Sequence, residues 1–89
     1  MVQLNRAVAV AMAQGPADGL ALLDDPSLTQ VLDDYHLYHS TRADLLRRAG
    51  RPEEAASAYQ QARRQTNNAA EHNFLDRRLK ELGDAAAGG

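Results

Sequence analysis

Apolar residues recur at spacings of three and four along most of the chain, the pattern of helices that bury one face. Alanine, leucine and arginine are abundant, whereas β-branched residues, which favour strands, are scarce. The pattern therefore predicts an all-α protein of about five helices. Their expected ranges are 2–14, 16–24, 33–49, 52–66 and 68–82.

Glycine and proline mark the turns between these helices. Gly15 directly precedes Pro16, and Gly50 stands two residues before Pro52. Glycine adopts the left-handed conformation that ends many helices, and proline needs no N–H donor in the first turn of a helix. Each of these segments is therefore predicted to join one helix to the next, while Asn68 is predicted to cap the last helix.

The segment between the second and third helices admits two interpretations. Pro26 ends the second helix, because the residue before a proline avoids the α-helical region. Ser27 and Gln30 then fit the S-x-x-Q pattern of a capping box. Residues 27–34 are either a separate helical turn or the beginning of the third helix, and the sequence leaves both open.

The periodicity also predicts which side chains are buried and which form ion pairs. The expected apolar faces comprise Leu4, Val8, Ala11 and Met12; Leu20, Leu22 and Leu23; Tyr35, Tyr38, Leu45, Leu46 and Ala49; Ala55, Ala58, Tyr59 and Ala62; and Phe74, Leu75, Leu79 and Leu82. The expected ion pairs, at helical spacing, are Asp44 with Arg47 and Arg48, Asp76 with Lys80, and Arg77 with Glu81.

An internal period relates the two halves of the chain. Gly15 returns as Gly50 at an offset of 35, and the dipeptide at 6–7 returns at 42–43, an offset of 36. A period near 34 is typical of tetratricopeptide (TPR) repeats, in which each unit is a pair of helices that stacks on its neighbour. The sequence therefore predicts TPR-like antiparallel helical hairpins.

The two predicted repeats are degenerate. In the second, Ala55, Tyr59 and Ala62 supply a small, an aromatic and a small residue along one helix face, whereas the first has Gly19 and Leu23 in the small and large positions. The last helix is expected to cap the repeats. We therefore predict a TPR-like helical domain over 1–82, and a flexible tail over 83–89 that begins where Gly83 ends the last helix.

Three ordered segments carry a more specific resemblance: LNRAVAVAMAQGPADGLALLD, YHLYHSTRADLLRRAGRPEEAASAYQQARR and NNAAEHNFLDRRLKEL. Together they resemble the C-terminal extension of one group of extracytoplasmic-function (ECF) sigma factors of the sigma-70 family. The resemblance implies a cytoplasmic regulatory domain in transcription initiation, which binds the N-terminal sigma regions of the same protein, core RNA polymerase, or both. Promoter DNA would be contacted only through sigma domains that this sequence lacks. The alternative is a free-standing TPR adaptor or chaperone module unrelated to transcription.

Charge is unevenly distributed, although the net charge is only −2. Residues 1–41 hold one base and five acids, whereas 42–82 hold nine bases and six acids, including three arginine doublets at 47–48, 63–64 and 77–78. These doublets either complement helix C-termini or bind an acidic partner. By analogy with the groove of TPR proteins, the candidate partner-binding residues are Asn5, Ser40, Asp44, Arg47 and Arg48, with Ala9 and Met12 beside them.

No arrangement of reactive groups predicts catalysis, a metal or a cofactor. Cysteine is absent, and the H-x-x-H spacing of His36 and His39 is weak evidence for metal without a third ligand. The acidic pairs at 24–25 and 33–34 flank helix ends, where carboxylates are expected, and nothing orients Ser40 as a nucleophile. The longest apolar stretch, 7–13, is far too short to span a bilayer. We expect a non-enzymatic protein without a membrane segment, whose isolated form pairs with a second copy if an edge of the repeat stack is exposed.

Overall fold

The computed structural model describes residues 2–32 and 35–88, with side chains described over 4–32 and 35–83. Within that part of the chain there are six α-helices and no strands, which confirms the predicted all-α class. The helices are α1 (Val2–Gln14), α2 (Pro16–Leu23), α3 (Pro26–Leu32), α4 (His36–Arg48), α5 (Pro52–Arg64) and α6 (Ala69–Gly88).

The helices pack as two hairpins followed by a single helix. The first hairpin is α1 with α2, and the second hairpin is α4 with α5. Both α1 and α2 contact α4, and α6 packs on α5. Because each hairpin closes through one to three residues, its two helices run antiparallel. One continuous core lies between the hairpins and under α6, formed by Leu4, Ala7, Ala11, Leu20, Leu23, Leu32, Tyr38, Ala43, Leu45, Leu46, Ala55, Ala58, Tyr59, Ala62, Leu75 and Leu82.

The segment after α2 forms a separate short helix, α3, which settles the question that the sequence left open. Its cap is Asp25 and not Ser27: Asp25 Oδ1 accepts hydrogen bonds from the Ser27 backbone N–H at 2.9 Å and the Ser27 hydroxyl at 2.8 Å. Pro26 is the first residue of the helix, where its missing N–H costs nothing. The predicted beginning of the next helix at Asp33 lies outside the described residues, and α4 begins at His36.

A buried tyrosine ties α3 and the end of α2 to α4. The Tyr38 hydroxyl donates to the Leu23 carbonyl at 2.7 Å and lies 3.2 Å from the Thr29 hydroxyl. The Leu23 carbonyl belongs to the last turn of α2, where backbone acceptors lack a partner within the helix. Tyr38 therefore satisfies an end of the first hairpin from within the second hairpin.

The buried face of α1 differs from the prediction. The helix buries Leu4, Ala7 and Ala11, but Val8 is 37% exposed and Met12 is 76% exposed. The prediction placed the last two in the core because their spacing matched the apolar stripe. The small residues Ala7 and Ala11 face the core instead, because their short side chains let α2 approach α1 closely.

Two further residues of the predicted apolar faces are exposed. Leu22 lies on the outer side of α2, and Phe74 lies on the outer side of α6. By contrast, the predicted stripe of α5 is confirmed in full, since Ala55, Tyr59 and Ala62 are wholly buried and Ala58 nearly so.

The last helix begins as predicted and ends later than predicted. Asn68 Oδ1 accepts a hydrogen bond from the Glu71 backbone N–H at 3.0 Å, which confirms the N-cap. The prediction that Gly83 ends the helix is wrong, because α6 continues to Gly88. A glycine inside a helix costs only about 1 kcal/mol relative to alanine, and the following alanines at 85–87 are the best helix formers. The flexibility expected of 83–89 stays a prediction.

Two of the predicted ion pairs are replaced by others. Asp76 pairs with Arg63 of α5 at 2.6 Å, and not with Lys80. Glu81 pairs with Arg78 at 3.0 Å, and not with Arg77. Helical spacing identifies neighbours within one helix, but the packing of α5 against α6 offers Asp76 a closer arginine. None of the described helices is both long enough and apolar enough to cross a bilayer.

Candidate partner-binding surface

The charged cluster, which we define as Asp44, Arg47 and Arg48, lies on one side of the last turns of α4. Asp44 accepts from both arginines: its Oδ1 lies 2.6 Å from Arg47 Nη2, and its Oδ2 lies 3.2 Å from Arg48 Nε. This arrangement confirms the predicted ion pairs. One carboxylate neutralises one guanidinium, so the charged cluster keeps a net positive charge.

The exposure of the charged cluster leaves it open to a partner. About a third of the Asp44 and Arg47 side chains and half of the Arg48 side chain remain accessible to solvent. Ion pairs of this kind contribute little to stability, about 0–1 kcal/mol. A guanidinium group can, however, donate two parallel hydrogen bonds to an incoming carboxylate. The cluster is therefore suited to recognising an acidic side chain rather than to holding the fold together.

On its inner side, the charged cluster neighbours Tyr59 of α5, whose side chain is completely buried. Burial raises the pKa of Tyr59, and the neighbouring Arg47 opposes part of that rise. The pKa of Arg47 is raised, first by its bond to Asp44 and then by the tyrosine hydroxyl. Arg47 is thus close enough to act on the Tyr59 hydroxyl, yet among the described residues Tyr59 Oη has no hydrogen bond of ordinary geometry. Arg47 Nε is buried and has no hydrogen-bond partner among the described residues, whereas the Arg48 side chain is half exposed.

A contribution from α6 was missed by the sequence reasoning. Arg78 lies over the ring of Phe74, 5.2 Å from its centroid, and bonds to Glu81. The positive charge of Arg78 also opposes part of the rise in the pKa of Tyr59. The available signal was the i,i+4 spacing of Phe74 and Arg78, which sets a guanidinium over an aromatic ring on a helix.

The two remaining candidates are less directly connected to the charged cluster. Ser40 lies one turn before Asp44 on α4 and is half-buried, and its hydroxyl donates to the Leu37 carbonyl at 3.3 Å within the same helix. Asn5 is exposed on α1, a different helix. The structure therefore brings three of the five predicted residues into direct contact.

The second arginine doublet is engaged elsewhere. Arg63 pairs with Asp76 across the α5–α6 contact, and Arg64 bonds to Gln61 at 2.6 Å within its own helix. These bonds join neighbouring turns and helices at the surface. The doublet therefore offers a charge-matched control for the charged cluster.

An open cleft of about 570 Å³ lies between α4 and α5, lined by His39, Arg42, Glu54, Ser57, Ala58 and Gln61. Its side chains carry both signs of charge, and Arg42 is bound to Asp24 at 3.0 Å. The neighbouring His36 and His39 rings each stand edge-on to the tyrosine that precedes them. Across the described residues, no three side chains of His, Asp or Glu are grouped closely enough to hold a metal ion.

The comparisons with known proteins define a relative but not a family. The chain is 38% identical over 82 residues to an uncharacterised protein of Rhizobium meliloti (strain 1021). The match covers 92% of this chain and 19% of that protein, so the chain spans about a fifth of its relative's length. No protein-family model matches the sequence, and no solved structure matches it.

Proposed function

We propose that this chain is the regulatory C-terminal domain of an ECF sigma factor, acting in the cytoplasm through protein–protein contacts. The observation that carries the proposal is the ordered resemblance of three segments, which together span most of the chain. The packing of the helices as successive hairpins is compatible with the TPR-like extension of such factors. The relative from Rhizobium meliloti is about five times longer than the matched region, as this proposal requires of a domain joined to sigma regions.

The surface that we assign to this contact is the charged cluster. Its chemistry suits an acidic segment, because arginines bind carboxylates and half of the Arg48 side chain is exposed. The partner is then an acidic surface of the N-terminal sigma regions or of core RNA polymerase. Neither partner requires a cofactor, a metal or a catalytic group in this domain.

A free-standing TPR adaptor is the second candidate, and it uses the same helical hairpins. The two proposals differ in what precedes this domain in the polypeptide. Sigma regions encoded upstream would support the first, whereas an unrelated domain or an upstream stop codon would support the second.

The test is a binding titration of the domain against the purified N-terminal sigma regions of its own polypeptide and against core polymerase. We expect saturable binding to one of them, weakened at least about tenfold by Arg48→Glu, which reverses an exposed charge close to the partner. Arg47→Glu combined with Arg48→Glu should weaken it further. Binding should also weaken as salt concentration rises.

The matched control is Arg63→Glu with Arg64→Glu, which makes the same change of charge on α5. It should leave the affinity within about threefold of that of the unchanged domain. Arg63 and Arg64 lie outside the proposed contact, so they act on the partner only through long-range attraction, which salt screens. Equal losses from the two double variants would contradict the assignment of the surface. No binding by a domain whose helicity is intact would contradict the proposed function itself.

A further inference from the structure

The middle of the helix α1 is apolar around its whole circumference, although only one side of it is buried. Residues 7–13 are all alanine, valine or methionine. Ala7 and Ala11 face the core, while Ala9, Met12 and Ala13 are exposed. A helix that is apolar on every side is normally enclosed by its surroundings. One side of α1 therefore has the composition of an interface.

The internal repeat identifies what the exposed side corresponds to. At the offset of 36 that relates the two halves, the residues of α1 align with those of α4. The aligned pairs are Arg6 with Arg42, Ala9 with Leu45, and Ala13 with Ala49.

On α4, Arg42 and Leu45 contact α2 of the preceding hairpin. Arg42 binds Asp24 at the end of α2 through Nε and Oδ1, 3.0 Å apart. Leu45 is 2% exposed, and its Cδ1 lies 3.1 Å from the position that a Cβ on Gly19 would occupy. Ala49, the C-cap residue of α4, is partly buried and packs against the core. This face of α4 therefore fits a helix such as α2, in which a glycine (Gly19) is followed five residues later by an acidic residue (Asp24).

We propose that the corresponding face of α1, formed by Arg6, Ala9 and Ala13 and here called the stacking face, docks another helical hairpin that precedes this domain in a longer polypeptide. The second helix of that hairpin would resemble α2, with a small residue opposite Ala9 and an acid within reach of Arg6. This inference concerns the stacking of repeats and does not rest on the proposed function.

A second copy of this chain is a poorer occupant. The α2 surface with Gly19 and Asp24 is already covered by α4, and the side of α5 away from α4 is covered by α6. A second copy therefore has no uncovered surface equivalent to α2. The Rhizobium meliloti relative, by contrast, has about four fifths of its length outside the matched region, which is ample for further hairpins.

The test places a copy of residues 1–36 directly before residue 1, which reproduces the offset of 36 and brings the copy's α2 opposite the stacking face. We expect a single cooperative unfolding transition at a higher Tm than that of the 89-residue chain. We also expect amide hydrogen exchange at Ala9 and Val10 to slow at least about tenfold, because buried helices open less often.

Substitutions then show where the added hairpin lies. Ala9→Arg in the original α1 should lower the Tm of the extended protein by about 5 °C or more, because it places a charge in the interface. Ala21→Arg, at an exposed alanine of the original α2, should not. In the chain without the extension, both should shift the Tm by less than about 2 °C, as exposed substitutions do.

Three results would overturn the proposal. One is a separate unfolding transition for the added hairpin, with no change in amide exchange on α1. Another is equal effects of Ala9→Arg and Ala21→Arg in the extended protein. The third is a stable dimer of the unextended chain that Ala9→Arg dissociates in sedimentation, because the stacking face would then serve a second copy. The exchange measurement needs no substitution, so it stands even if Ala9→Arg prevents folding.

Discussion

The first and second hairpins use the same spacing with side chains of different size. At the offset of 36, Gly19 and Leu23 of α2 correspond to Ala55 and Tyr59 of α5, and all four are buried. A Cβ on Gly19 would lie 2.8 Å from the Ala7 carbonyl oxygen, so α2 sits almost in backbone contact with α1. The second hairpin accommodates a methyl group and a phenol ring at the equivalent sites. The repeat thus fixes which positions face inward, and side-chain volume fixes how far apart the helices lie.

The turns of the two hairpins also differ, although each contains a glycine with positive φ. Gly50 has φ 78°, and the bonds from Gly50 N to Arg47 O and from Arg51 N to Leu46 O form a Schellman motif. Gly15 has φ 109° and ψ 158°, a conformation that is close to exclusive to glycine. The same residue is also the N-cap of α2. The first hairpin therefore closes through one residue and the second through three. This tighter connection matches the closer approach of α1 and α2.

The largest effect is expected from removing the Tyr59 side chain. Tyr59→Ala should lower the free energy of unfolding by about 3–5 kcal/mol, since it leaves a cavity where the large buried side chain of the second hairpin stood. Tyr59→Leu, the residue that the first hairpin uses, should cost clearly less. Chemical denaturation by urea measures both.

Tyr59→Phe provides the control for the hydroxyl group. Because Tyr59 Oη has no hydrogen bond of ordinary geometry to the described residues, its removal should change the free energy of unfolding by less than about 1 kcal/mol. A larger loss would mean that the hydroxyl is held by Arg47, and the two large sites would then differ in bonding as well as in volume.

The equivalent positions Gly19 and Ala55 should differ in their tolerance of a methyl group: adding one should destabilise the first hairpin, and removing one should destabilise the second. Gly19→Ala should cost about 2–3 kcal/mol, because the added Cβ would lie 2.7 Å from Ala11 Cβ and the backbone must shift. Ala55→Gly should cost only about 1 kcal/mol, through lost burial and greater backbone freedom. A neutral Gly19→Ala in urea denaturation would show that the first hairpin is packed no more closely than the second.

Asparagine substitutions should distinguish the two turns. Gly15→Asn should cost about 1–2 kcal/mol, since asparagine tolerates the left-handed helical region but not the conformation of Gly15. Gly50→Asn should cost less, because φ 78° lies near that region. A Cβ at either site meets no neighbouring atom, so thermal unfolding of the two variants compares backbone strain alone. Equal losses would remove the distinction between the turns.

The smallest effect is expected at the cap of α3, which lies between the hairpins. Hydrogen bonds from the Ser27 side chain and backbone lower the pKa of Asp25. Its contribution to stability is therefore complete above the ordinary aspartate pKa and is lost as the pH falls through the lowered value. Asp25→Asn keeps a cap without the charge, so the Tm of this variant should fall less than that of the unchanged protein as the pH is lowered from above the ordinary aspartate pKa through the lowered pKa of Asp25. An identical fall in both proteins would exclude this contribution.

Local signals in the sequence predicted five of the six described helices, the turn glycines at 15 and 50 and the buried stripe of α5, because each depends on residues within one or two turns. The bonds between Asp44 and its two arginines were predictable for the same reason. The partner of Asp76 was not, because the packing of α5 on α6 decides it. Met12 was assigned to the core because spacing alone cannot tell a helix with one covered side from a helix with two.

The burial of the tyrosines gives this molecule an optical property. The chain has three tyrosines and no tryptophan, so ultraviolet fluorescence comes from tyrosine alone. Tyr59 reports the interior of the second hairpin, whereas Tyr38 reports the junction where it meets the Leu23 carbonyl. Replacing Tyr35 and one of these two by phenylalanine would leave the other as the single tyrosine, so that loosening of the junction and melting of the second hairpin could be timed separately without an attached dye.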